Sequence, residues 1–143
     1  MTKLRALEEI EKRIFSLEIY ESVSSYCLLL ARRIIDINTN PTSIVLFRSN
    51  IESMKKELSY NGSYIDILKP LLHPDVDFLY LEFLLIWGEE NHPVSSKELD
   101  QAERDGYLYN PFIDDFMYHY LEYIAPTFRI TKEFESLIKD CQE

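Results

Sequence analysis

The stretch that most limits how this chain can fold runs from Pro74 to Gly88, Pro-Asp-Val-Asp-Phe-Leu-Tyr-Leu-Glu-Phe-Leu-Leu-Ile-Trp-Gly. Proline suits a first helical position, where its missing N–H would have no partner anyway. Asp75 and Asp77 come next, in what would be the first turn, where the helix dipole favours negative charge. Gly88 closes the run as a left-handed cap would. Between these marks only Tyr80 and Glu82 interrupt the apolar side chains. A helix that is apolar all round is a buried one, so the run predicts the central helix of a bundle.

Elsewhere apolar residues recur at three- and four-residue spacing, the helical period. Leu4, Leu7, Ile10, Ile14 and Leu17 predict a helix over 2–21, with Glu8–Lys12 and Glu9–Arg13 as i,i+4 pairs on its outer face. Ser22, Ser24 and Ser25 offer a break and a cap before a second helix over 26–37, either separate or continuous with the first through a bend. Asn38-Thr39-Asn40-Pro41 reads as a loop and a helix start. A third helix over 42–60 carries Ile44, Phe47, Ile51, Met54 and Leu58 in one stripe and ends at Asn61-Gly62. Ser43–Phe47 is β-branched enough for a short strand, but its continuity with that stripe favours helix. Ser63 starts a short helix to Leu68, which Pro70 limits.

Glu89–Val94 reads as a polar loop, and Ser95 or Ser96 opens a helix that Gly106 ends. Asn110-Pro111 repeats the cap-plus-proline signature and predicts a helix to Ala125, before Pro126. Thr131 caps a last helix with Phe134, Leu137 and Ile138 facing inward. The expected fold is therefore all-α, a compact, irregular bundle of about six to eight helices in a single domain spanning 1–143.

With 143 residues the chain can bury a core without staples. Three glycines speak against many tight turns and leave neither G-x-G-x-x-G nor G-x-x-x-x-G-K to cradle a phosphate. Cys27 lies in an apolar run and reads as a small hydrophobe, while Cys141 lies near the end; the two form no C-x-x-C pair. Lys3, Arg5, Glu8 and Glu9 do not make a leader peptide, and no apolar run reaches the length of a membrane span. A soluble, cytoplasmic protein is expected.

The formal net charge is −10. Residues 1–70 hold 10 Lys plus Arg and 9 Asp plus Glu, a net of +1, and residues 71–143 hold 5 and 16, a net of −11. Such a chain repels nucleic acid and anionic lipid, whose affinity for proteins rests on neutralised phosphates, and attracts a basic protein. The acidic half also carries most of the aromatics. On a helix from 111, Ile113, Met117, Leu121 and Ile124 would face inward, leaving Asp114, Asp115, Tyr118 and Glu122 outside. Tyrosine beside carboxylate suits an interface, because the ring gives area at low entropy cost and the carboxylate suits arginine or lysine on a partner. The candidate partner-binding residues are Glu103, Asp105, Tyr107, Tyr109, Asp114, Asp115, Tyr118 and Glu122. The competing reading is a solvated acidic face with tyrosines at the rim of the core.

Motifs for chemistry are weak. Asp115, His119 and Glu122 would share a helix face, but the order His-x-x-Glu reverses the diiron motif, and the further glutamates it needs are not evident. His73, Asp75 and Asp77 lack a partner His-Asp pair, His92 stands alone, and no G-x-S-x-G is present. Arg32-Arg33 and Lys55-Lys56 read as solubilising pairs. No catalytic residue, metal ligand or cofactor is assigned.

A small, acidic, helical domain without chemistry of its own resembles the immunity proteins that bacteria pair with secreted or contact-delivered toxins, often nucleases. The resemblance is one of class, in size, charge and helical character. It implies a non-enzymatic inhibitor, monomeric or homodimeric, whose carboxylates occupy the toxin's basic groove while aromatics anchor it. The alternatives are an adaptor that binds another protein through an apolar groove, a helical metal-binding enzyme, and a homodimer built on the stripe of the third helix.

Overall fold

The computed structural model describes residues 2–37 and 45–140, with side chains over 5–37 and 45–138. In chain order the elements are α1 (Thr2–Phe15), α2 (Glu21–Asp36), β1 (Leu46–Phe47), α3 (Arg48–Glu57), α4 (Tyr64–Leu72), β2 (Leu79–Trp87), β3 (Glu90–Val94), α5 (Ser96–Asp105), β4 (Leu108–Asn110), β5 (Asp115–Met117), a 3-10 turn (Tyr120–Tyr123), β6 (Ile124–Ile130) and α6 (Lys132–Asp140). One sheet has the order β1-β6-β2-β3, and β4-β5 is a second. The fold is mixed α/β, which overturns the all-α bundle. Two compact units are present, residues 1–80 with 128–143, and residues 81–127.

The first unit is the part that the helical period describes. Ile10, Ile14, Leu30, Ile34, Ile35, Ile51, Ile67, Leu71 and Phe134 are wholly or almost wholly buried. Helices α1 and α2 are separate. Glu18 takes a left-handed φ of 54°, and α2 starts after Tyr20, five residues earlier than expected. Ser24 and Ser25 are not caps; their hydroxyls donate back to the Glu21 carbonyl. Ser63 does cap α4, accepting from Ile65 N–H at 3.3 Å, but the helix runs on to Leu72 with Pro70 inside it. The stripe of α3 packs inward through Ile51 and Met54, while Phe47 is exposed. The loop expected at Asn38–Pro41, with Ile44 and Cys141, lies outside the described residues.

The expected central helix is where the structure departs most from the sequence reading. Residues 74–76 form a turn, with both Val76 and Asp77 N–H donating to the His73 carbonyl at 3.0 and 2.8 Å. Asp77 then adopts φ 52°, which no continuing right-handed helix contains. The apolar run beyond it is β2, flanked by β6 and β3. Its burial does not alternate, since Leu79, Leu84 and Leu85 are buried while Tyr80 and Leu81 are exposed, so the run carries no strand period and mimics a buried helix. Gly88 is not a helix cap. At φ 62° it opens the two-residue turn of the β2–β3 hairpin, whose register pairs Trp87 with Glu90. Glycine first is the requirement of a type II′ turn. The polar loop expected at 89–94 is thus β3, and the short strand signal before α3 survives as β1.

Thr131 closes the first unit. Its N–H donates to the Phe78 carbonyl at 2.9 Å and its hydroxyl to the Asp77 carbonyl at 2.7 Å, which fixes α6 against the 73–78 turn. Phe134 then meets Phe78 edge to face at 5.3 Å. Arg13 lies 5.0 Å over the Phe134 ring, donates to the Val76 carbonyl at 2.9 Å and pairs with Glu9 and Glu133.

Candidate protein interface

The second unit is built from hairpins around a small core of Leu85, Val94, Ala102, Leu108, Met117 and Tyr120. Helix α5 enters it as expected, with the Ser95 hydroxyl accepting from Glu98 N–H at 3.1 Å and Gly106 leaving at φ 82°. Beyond Gly106 the chain does not return to helix as the sequence suggested. Asn110 Oδ1 accepts from Phe112 N–H at 2.8 Å, so Asn110-Pro111 sets a turn between strands. Asp114 ends that turn at φ 49°, a conformation that Asp tolerates better than most residues. The same two residue types serve a helix start and a turn start, because in both the side chain captures an N–H two residues on.

Strands β4 and β5 pair Leu108 with Met117, Tyr109 with Phe116 and Asn110 with Asp115. Side chains alternate across a strand, so this register sends Leu108, Asn110 and Met117 inward, where all three are buried. It sends Tyr107, Tyr109, Phe116 and Tyr118 to the other face. The rings touch in series: Tyr107 meets Phe116 at 4.7 Å and Tyr118 at 6.1 Å, and Phe116 meets Tyr109 at 5.9 Å, all edge to face. Tyr107 is half-buried, and the second unit leaves the other three open. Tyr109 is 47% exposed, Phe116 54% and Tyr118 73%. Isolated exposed rings need no explanation, but four in contact make a patch.

Carboxylates border this ladder. The Tyr109 hydroxyl donates to Asp114 Oδ1, and that bond, more than burial, pushes the phenol above its ordinary pKa. The bond ties the Tyr109 ring to Asp114. Asp105 lies two residues before Tyr107, and its Oδ1 accepts from Gln101 at 2.9 Å. Asp115 turns its carboxylate to the Phe116 N–H at 2.7 Å. Among the described residues none of Glu103, Asp105, Asp114, Asp115 and Glu122 has an ion-pair partner. Residues 81–127 hold 10 Asp plus Glu and 2 Lys plus Arg, a net of −8, against 15 and 13, a net of −2, for the remaining residues.

Of the sequence candidates, the fold brings Tyr107, Tyr109, Tyr118 and Asp114 together. Glu103 on α5 and Glu122 in the 3-10 turn are exposed but make no hydrogen bond to the ladder among the described residues. The helical wheel that groups Asp114, Asp115, Tyr118 and Glu122 does not exist; Ile113 and Leu121, its supposed inner positions, are 45% and 73% exposed. Phe116 is absent from the sequence candidates. The signal for it is the period-two alternation of Tyr107-Leu108-Tyr109 and Phe116-Met117-Tyr118.

The metal constellation fails for the same reason, since 115–117 is strand and 120–123 a 3-10 turn. Among the described residues no three of His, Cys, Asp and Glu are grouped as a metal site would be. His73 Nδ1 accepts from the Asp75 N–H at 3.1 Å, a local turn contact. Burial pushes the Cys27 thiol up to about 12, which makes it inert as a nucleophile. No described helix is long and apolar enough to cross a membrane.

In the first unit a groove of about 970 Å³ lies between the α1–α2 connection and α4. Leu17, Ile19, Tyr20, Val23, Ile65 and Pro70 line it, with Glu18, Asp66, Lys69 and His73 at its polar edge. Compared with protein-family models, with curated proteins and with solved structures, the chain matches none.

Proposed function

We propose that this chain is a protein-binding inhibitor of the immunity type, which neutralises a basic toxin, such as a nuclease, in the cytoplasm by covering its active site. The observation that carries the proposal is the four-ring face of the β4–β5 hairpin, set in a unit of net charge −8 with two basic residues. Exposed rings supply anchors that lose little entropy on docking. Unpaired carboxylates steer a cationic partner and repel nucleic acid. The all-α architecture that entered the likeness to immunity proteins does not survive, since the helices share the chain with two sheets; size and acidic charge remain.

The test is capture followed by inhibition. The immobilised protein is exposed to a lysate of its native organism, and a captured protein is purified and assayed with and without the chain. Stoichiometric loss of that protein's activity, relieved by high salt, is the expected result. A partner that is acidic, or whose activity is unchanged in the complex, removes the proposal.

The groove of the first unit favours a second reading, an adaptor that binds an apolar segment of another protein. Binding that is indifferent to salt, and is lost on Tyr20→Asp rather than on changes at residues 107–118, selects that reading.

A further inference from the structure

We propose that the β4–β5 ring ladder is an arginine-recognition surface, and that the partner inserts an arginine-bearing segment there. The inference rests on the inhibitor reading above and names what the inhibitor recognises. Three observations point the same way. First, the register places four rings on one outward face within 6.1 Å of their neighbours, a continuous π surface. Cations are drawn to ring faces, arginine more often than lysine, because its planar group also stacks. Second, one ring is tied to a carboxylate: the Tyr109 hydroxyl donates to Asp114 Oδ1, and among the described residues the other Asp114 oxygen is left beside the ladder. A guanidinium stacked on Tyr109 or Phe116 has donors left for that oxygen, whereas an ammonium lacks the planar fork. Third, the protein already uses this contact internally. Arg13 lies over Phe134 and Arg48 over Tyr64, at 5.0 and 5.3 Å, both in the first unit. In the second unit the two bases are Lys97 and Arg104, and Arg104 is engaged with Gln101. Among the described residues no lysine or arginine lies over a ring of the ladder.

Aromatic ladders also stack nucleobases, so single-stranded RNA is the competing occupant. A unit of net −8 would have to hold its phosphates with two bases, Lys97 and Arg104, against ten carboxylates, which decides against it.

The experiment uses the full chain and three probes at low salt: short peptides of alternating arginine and glycine, the same with lysine, and a single-stranded RNA. The arginine peptide should bind about fivefold more tightly than the lysine peptide, and the RNA not at all. Phe116→Leu with Tyr118→Leu keeps apolar area but removes two π faces, and should lower arginine-peptide affinity about fivefold while leaving the lysine peptide nearly unchanged. Tyr118→Leu alone is the control should the double variant lose its circular dichroism signature, since this ring is the most exposed of the four. Equal binding of both peptides, an unaltered variant, or tighter binding of RNA overturns the proposal. If the double variant still silences a captured toxin with undiminished affinity, the inhibitor reading stands and the arginine ladder falls. If the arginine peptide binds as expected but no captured protein is inhibited, the reverse holds.

Discussion

The two units solve the problem of charge in opposite ways. In the first, bases nearly balance acids and are put to structural use: Arg13 joins α1, α6 and the 73–78 turn, Arg33 reaches Glu57 across α2 and α3 at 2.8 Å, and two rings carry arginines. In the second, acids outnumber bases fivefold and its rings contact one another rather than a cation. The cores differ likewise. Among the described residues 21 buried side chains form the first cluster and six the second. Charge and aromatic area spent on internal contacts stabilise a scaffold, and the same groups left unpaired on a thin, short-stranded unit are available to another molecule. The comparison also corrects the division of charge made along the sequence: the acidic excess belongs to an inserted segment, not to the second half as a whole.

The largest effect that would test this contrast is Phe78→Ala. Phe78 is fully buried against Phe134, and its truncation should cost about 3–5 kcal/mol in urea unfolding. A cost below about 1 kcal/mol would show that the first core is not the main stabiliser. Asn110→Ala removes the acceptor for Phe112 N–H and a fully buried amide, so it should cost about 1–3 kcal/mol. Hydrogen exchange should then speed up across 108–117 while the α1–α2 amides keep their protection. Arg13→Met keeps the packing on Phe134 but loses the Val76 and Glu133 bonds, and should cost about 1–2 kcal/mol, less at high salt.

Raising ionic strength from about 0.1 M to about 1 M shortens the Debye length from about 10 Å to about 3 Å. Amide protection in the second unit should rise, as self-repulsion among its acids is screened, while that of the first stays level or falls as its ion pairs weaken. A parallel change in both units would remove the electrostatic distinction between them. The smallest effect concerns Tyr109. Its folded pKa is raised, so its bond to Asp114 contributes stability fully below the unfolded tyrosine pKa, and that contribution is lost as pH rises through the folded value. An ultraviolet titration should find one tyrosine ionising later than in Asp114→Ala.

Helix ends set by local chemistry are legible. Ser63, Ser95, Gly106 and Thr131 mark boundaries that the structure keeps, because a cap involves residues within four positions of one another. The misses share a cause. Pro74 with two aspartates, Gly88, and Asn110-Pro111 are punctuation that helices and turns use alike. Composition singles out Tyr107, Tyr109, Tyr118 and Asp114, and it is the strand register, not a helix face, that brings these four together. Phe116 escapes because a helical period does not fit residues that alternate.

By itself the sequence determined the helical periods of the first unit, the caps at Ser63, Ser95 and Gly106, the acidic excess and its company of tyrosines. Those come from periodicity and from contacts a few residues long. Only the tertiary structure decided that 79–87 is a strand and that 107–118 is a hairpin with an aromatic outer face. A strand is defined by partners such as Val94 for Phe83 and Met117 for Leu108, and an apolar run that does not alternate carries no period from which those partners could be read.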